Sequence, residues 1–223
     1  MQEKSKISRR PFILGGLSLG GLTLTGCATA QRSGNPAPIS NPQLAAMYGP
    51  RPNERFPIPA VDISQVDPKY YRTEVDAPKG IPAGTVYVDT KNFYLYLVRR
   101  DKRAIRYGVG LGRAGFEWQG TGRIAWKRKW PTWTPPAHMI ERQPELEIYS
   151  AANGGMPPGL KNPLGARALY IFQGGKDTLY RLHGTPEAFS IGKAVSSGCV
   201  RLLNQDVIDL YPRVPNGTRI IVV

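Results

Sequence analysis

From about Gly84 onward the chain settles into short apolar runs separated by polar turns. Thr85 to Asp89, Phe93 to Val98 and Ala104 to Val109 follow one another closely, and that spacing predicts a meander of antiparallel strands. Alternation places Phe93, Leu95 and Leu97 on one face, with Tyr94 and Tyr96 on the other. Further strands are expected over Arg123 to Lys129, Ala168 to Phe172 and Leu179 to His183, the last of these ending on its histidine. Residues 137 to 147 suggest a short helix. Asn204 is expected to cap a second helix carrying Val207, Ile208, Leu210 and Tyr211, closed by Pro212 and Pro215. Thr218 to Val223 reads as a final buried strand. The sum is a mainly β fold with one or two short helices.

The pattern before Gly84 differs. Residues 31 to 79 are rich in Pro, Asn, Ser and Gln with no sustained period, which predicts an extended tether and approach arm leading to a domain over residues 80 to 223. Short pieces such as Ala60 to Ile63 are expected to lie along that domain. Residues 1 to 30 read as an export signal: Arg9 and Arg10 resemble a twin-arginine pair, with ordinary secretion as the alternative. Leu24, Thr25, Gly26 and Cys27 resemble a lipobox, in which Cys27 is acylated and anchors the protein to a membrane. Cleavage after Ala30 would instead release a soluble protein, and an uncleaved anchor is a third reading, weakened by the five glycines in residues 11 to 31. Each version places the domain outside the cytoplasm, in the periplasm or cell envelope.

Composition changes this picture little. The 223 residues, 41% hydrophobic and 9% aromatic, suffice for one well-buried domain. Charge adds more: the chain carries a net +14. Lys4, Lys6, Arg9, Arg10 and Glu3 lie ahead of Cys27, so a chain processed there keeps +11. A basic surface attracts polyanions, but Lys and Arg are scattered and no basic helix accompanies them, so nucleic acid is not the expected partner.

Candidate chemistry gathers in His183 to Arg201, reading HGTPEAFSIGKAVSSGCVR. Cys27 is either lipidated or removed, so Cys199 has no intramolecular disulfide partner in an oxidising compartment and is a candidate nucleophile. A small buried cysteine or an intermolecular disulfide are the plainer readings. Gly198 permits a tight turn whose N–H groups can face an oxyanion, Ser196 and Ser197 can donate hydrogen bonds or merely compact the loop, and His183 is the candidate base. A zinc site has too few ligands, since His138 lacks ligand spacing and is expected to be structural or exposed. A cysteine peptidase is a rival, although His183 precedes the cysteine. Trp130 and Trp133, set between prolines, either wall a binding groove or close the core.

His183-Gly184 followed by Ser196, Ser197, Gly198, Cys199 and Arg201 resembles the catalytic pattern of the L,D-transpeptidase family of bacterial cell-wall enzymes, and Asn162 to Gly165 resembles that family's preceding loop. Ser197 stands where many members have histidine, so no role for that histidine carries over. The resemblance, covering about Gly84 to Val223, implies a twisted β-sandwich and a reaction on peptidoglycan stem peptides without metal or organic cofactor. It implies Cys199 as nucleophile, His183 as general base and acid, and backbone N–H groups of Gly198 and Cys199 as oxyanion donors. Arg201, with Gly184, is expected to bind substrate, a structural salt bridge being the alternative for the arginine. The acyl acceptor, whether another stem, an envelope protein or water, is left open. An idle wall-binding lipoprotein is the competing expectation.

Overall fold

The computed structural model describes residues 38–112, 118–196 and 198–223. Among the described residues nine strands form one sheet: β1 (Thr73–Asp76), β2 (Val86–Asp89), β3 (Tyr94–Val98), β4 (Arg103–Gly108), β6 (Gly120–Lys129), β7 (Arg167–Gln173), β8 (Lys176–Thr185), β10 (Val200–Leu203) and β11 (Arg219–Val222). Their spatial order is β1-β4-β3-β2-β11-β6-β7-β8-β10. The expected meander is present, since β2, β3 and β4 pair antiparallel. The last strand joins the halves, β11 lying parallel to β2 and antiparallel to β6.

The sheet curls until its far edge meets its beginning. Gly110, just past β4, exchanges both backbone hydrogen bonds with Arg201 of β10, at 2.8 and 2.9 Å. Beside this closure β5 (Leu111–Gly112) pairs with β9 (Ala194–Ser196). The two halves therefore enclose one core, to which Val86, Val88, Leu95, Leu97 and Tyr107 contribute from one side and Ile124, Leu169, Ile171, Leu182, Val200 and Leu202 from the other. Burial alternates as the sequence predicted, Leu95 and Leu97 inward and Tyr94 and Tyr96 outward, because successive side chains in a strand take opposite faces. This is the mainly β, sandwich-like class expected.

Helix α3 (Asn204–Arg213) closes the open side, burying Val207 and Leu210. Asn204 does not cap it. Leu203 holds the cap position and Asn204 is the first helical residue, its Oδ1 turned instead to accept the Ala166 N–H at 2.9 Å. At the other end Lys127 Nζ donates to the carbonyls of Tyr211 and Val214 at 2.7 Å, a cation at the negative end of the helix. The short helix expected over 137 to 147 forms as α2 (Ala137–Arg142) followed by a 3₁₀ segment (Pro144–Tyr149).

The prediction of an extended tether fails for residues 38 to 79. This segment starts with α1 (Pro42–Tyr48), capped by Asn41 and begun on a proline, and packs as part of the same compact unit as the sheet. Seven residues are too few for a helix to persist alone, so tertiary burial holds it. Tyr48 is fully buried with Val61, Val66, Ala188, Ile191 and Leu203. Arg51 donates to the last carbonyls of α1 at Ala46 and Met47. Glu54 accepts from Arg167 and from the Trp130 indole. The scattered apolar residues of the arm carry no period because they fill existing hollows rather than forming a face of their own.

Candidate active site

Parallel pairing of β10 with β8 sets Arg201 against His183 and Val200 against Leu182. Leu182, Val200 and Leu202 belong to the core, so the alternate residues Arg181, His183 and Arg201 face the opposite side of the sheet. Cys199, one step before β10, falls opposite Arg181. Its sulfur receives the Arg181 backbone N–H and donates to the Leu179 carbonyl at 3.9 Å. The nucleophile and base candidates, sixteen residues apart in sequence, are thus neighbours on one face. Gly198 has φ +146°, a conformation open to glycine and strained for other residues, which lets the chain enter β10 directly after the turn.

The histidine is 4% exposed, and its Nδ1 lies 2.8 Å from the Gly184 carbonyl oxygen. A carbonyl only accepts, so Nδ1 carries the proton and Nε2 is left as the acceptor. Burial pulls the imidazole from 6.5 down to about 4, with Arg201 and Arg181 pulling in the same direction. Burial pushes the Cys199 thiol up, opposed by the Arg181 N–H and by the charges of Arg181 and Arg201. At neutral pH the resting pair is therefore a thiol and a neutral imidazole.

Arg201 pairs through Nη1 with Glu187 Oε2 at 2.6 Å, the salt bridge weighed as its alternative role. Gly184 faces the core, where a Cβ would collide with Asn204 Oδ1, so it packs against α3 instead of lining the site. Ser196 ends β9, while Ser197 and Cys27 lie outside the described residues. Asn162 is buried and ties the loop before β7, donating to the carbonyls of Pro131, Met156 and Pro157 and accepting the Leu164 N–H. His138 is exposed on α2.

Of the two readings for Trp130 the structure has the core. Its ring is 5% exposed, stands edge-on to Phe56 at 4.9 Å and donates its N–H to Glu54 at 2.9 Å, so it offers no groove wall. Trp133 is half-buried and exchanges backbone hydrogen bonds with Met156. A tryptophan that does stack toward the face of Arg181 and His183 is Trp126, which lies on Tyr170 with ring centroids 3.4 Å apart. Tyr170 in turn lies under the Arg181 guanidinium at 4.5 Å. These three sit on different strands, and no sequence spacing links them; the only available signal was the position of Arg181 two residues before the histidine.

Compared with known proteins, residues 83–222 match the family model YkuD, the L,D-transpeptidase catalytic domain. Two Escherichia coli K12 proteins named probable L,D-transpeptidases are similar. YbiS is 36% identical over 148 residues, covering 64% of this chain and 45% of its own, and ErfK/SrfK is 34% identical over 140 residues, covering 60% and 42%. The chain spans less than half the length of these curated relatives. A solved structure from Brucella melitensis, described as a probable carnitine operon oxidoreductase, is 44% identical over 73% of this chain and 99% of that one, with a TM-score of 0.49.

Proposed function

Because the chain belongs to the L,D-transpeptidase catalytic domain family, we propose that it acts on peptidoglycan stem peptides with Cys199 as nucleophile and His183 as general base and acid. The observation that carries this reading is the shared face of His183 and Cys199 on the parallel pair β8 and β10, with Nε2 as the basic atom. Cys199 Sγ attacks the carbonyl carbon of the third stem residue while its proton passes to Nε2. The N–H groups of Gly198 and Cys199 hold the oxyanion. Collapse expels D-alanine, whose amine takes the proton from His183, and leaves a thioester. An acceptor amine then attacks that thioester and returns a proton through His183 to the sulfur. Arg201 orients a donor carboxylate, exchanging part of its contact with Glu187 for the substrate.

The reading extends to place. Residues 1 to 30 carry the export signal and Cys27 the lipid, so the protein works in the periplasm or envelope on a membrane tether, with the wall as its partner and envelope proteins as possible acceptors. Incubation with a purified disaccharide-tetrapeptide tests the activity. Cross-linked dimers with free D-alanine are expected; tripeptide alone would make the protein a hydrolase. No turnover together with no carbapenem adduct on folded protein would refute the enzyme. Incorporation of a fatty-acid analogue at Cys27 tests the anchor, and cleavage after Ala30 would remove it.

A further inference from the structure

The pairing of β7 with β8 slips beside the nucleophile. Tyr170 faces Arg181 and Phe172 faces Asp177, so two steps along β7 correspond to four along β8, and Thr178, Leu179 and Tyr180 bulge. Leu179 sits at φ +63°, a strained position for a side chain with a Cβ, and Asp177 Oδ1 holds it by accepting its N–H at 2.8 Å. Through this bulge the Leu179 carbonyl and the Arg181 N–H both reach the Cys199 sulfur.

The Arg181 side chain is fixed from two directions. Its Nη1 and Nη2 form a fork on the two oxygens of Asp177 at 2.7 and 2.8 Å, and its plane lies over Tyr170, which Trp126 backs in turn. The Arg181 side chain is 13% exposed and the Asp177 side chain 33%. Solvent therefore screens the acid more than the cation, and at the Cys199 sulfur the pull of Arg181 outweighs the opposing push of Asp177. A buried neutral His183 does not offer a standing imidazolium to pair with sulfur. Arg201, the other nearby cation, is tied to Glu187, and its pull on the Cys199 thiol is smaller than that of Arg181.

From this geometry we propose that Arg181, held by Asp177 and the Tyr170–Trp126 stack, is the positioning cation that stabilises the Cys199 thiolate. When the thiol ionises, its proton goes to Nε2 of His183 or to water, and the electron pair stays on sulfur beside the Arg181 N–H and guanidinium. The inference rests on the reading of Cys199 as nucleophile, and it concerns thiol chemistry rather than the substrate.

Alkylation by iodoacetamide reads this directly: sulfur displaces iodide only as the thiolate, and peptide mapping locates the adduct on Cys199. In Arg181→Met the midpoint of the rate-against-pH profile is expected to rise by about one unit, slowing alkylation at pH 7 about tenfold. Arg181→Lys should recover most of that loss. Asp177→Asn, which keeps the cation and removes its acid, should move the midpoint down. Opposite movements are the signature, since general loosening of the site would move both variants alike. An unmoved profile in Arg181→Met, or movement of both variants in one direction, overturns the proposal. If Arg181→Met does not fold, Asp177→Asn and Arg181→Lys decide, and a midpoint in Asp177→Asn that does not fall overturns it. A parent protein with the expected alkylation behaviour but no action on stem peptides would refute the proposed function alone.

Discussion

The outer face of β10 meets two environments only a few residues apart, one around Cys199 and Arg201 and one around Leu203 and the start of α3. At the first, buried His183 and half-buried Cys199 rest neutral, and the charges stand off as pairs at the rim. At the second, charge is packed inward. Arg72 of the arm places Nη1 3.4 Å from both Asp206 Oδ1 and Asp209 Oδ2, Tyr107 donates to Asp209 at 2.7 Å, and Arg213 closes on Asp209 from the helix. Tyr48 accepts the Arg72 N–H at 2.6 Å. Burial raises Asp206 from 3.8 to about 7, although Arg72 and Arg51 oppose it. One region keeps reactive groups uncharged and accessible to chemistry; the other uses charge and burial to clamp the arm. The difference predicts that damage to the first costs activity, and damage to the second costs stability.

The largest effect should come at the nucleophile. Cys199→Ser and His183→Ala are each expected to lower cross-linking by at least about a thousandfold while the domain stays folded, measured by dimer formation beside circular dichroism. A Cys199→Ser variant as fast as the parent would end the assignment. In the clamp, Tyr48→Ala should cost about 3 to 5 kcal/mol in denaturant unfolding while activity per folded molecule survives. Collapse of that specific activity at unchanged stability would mean that the arm belongs to the catalytic machinery, and the contrast would break.

The two buried titrating groups sharpen the comparison because their signs oppose. His183 is depressed to about 4, so below pH 6.5 the unfolded chain takes up a proton that the native one refuses, and stability falls as pH drops from 6.5 to about 4. Asp206 is raised to about 7, so its stability contribution is present below 3.8 and lost as pH climbs to about 7. Each is worth on the order of 3 to 4 kcal/mol over its window, and between pH 4 and 6.5 they largely cancel. Asp206→Asn should leave a profile rising with pH there, and His183→Ala one falling with pH. Parallel profiles in the two variants would contradict the assignment of the buried charges. The smallest effect is expected at His138→Ala, exposed on α2, with stability within about 0.5 kcal/mol and unchanged turnover.

What the chain alone determined follows from local physics. Alternation over residues 85 to 109 was enough for the meander, since each strand must show one face to the core. The candidate pair was legible because His183 lies near the end of a recognisable strand and Cys199 follows a glycine that suits a sharp turn. Trp130 was ambiguous for the reason that an indole between prolines suits a groove and a core equally well, and only Phe56 and Glu54, some seventy-five residues earlier, decided between them. The arm, the Arg72 clamp and the Trp126–Tyr170–Arg181 stack were decided by tertiary structure alone. Each joins residues from separate strands or segments whose contact depends on sheet curl and on a bulge in β8, and neither feature leaves a period in the sequence.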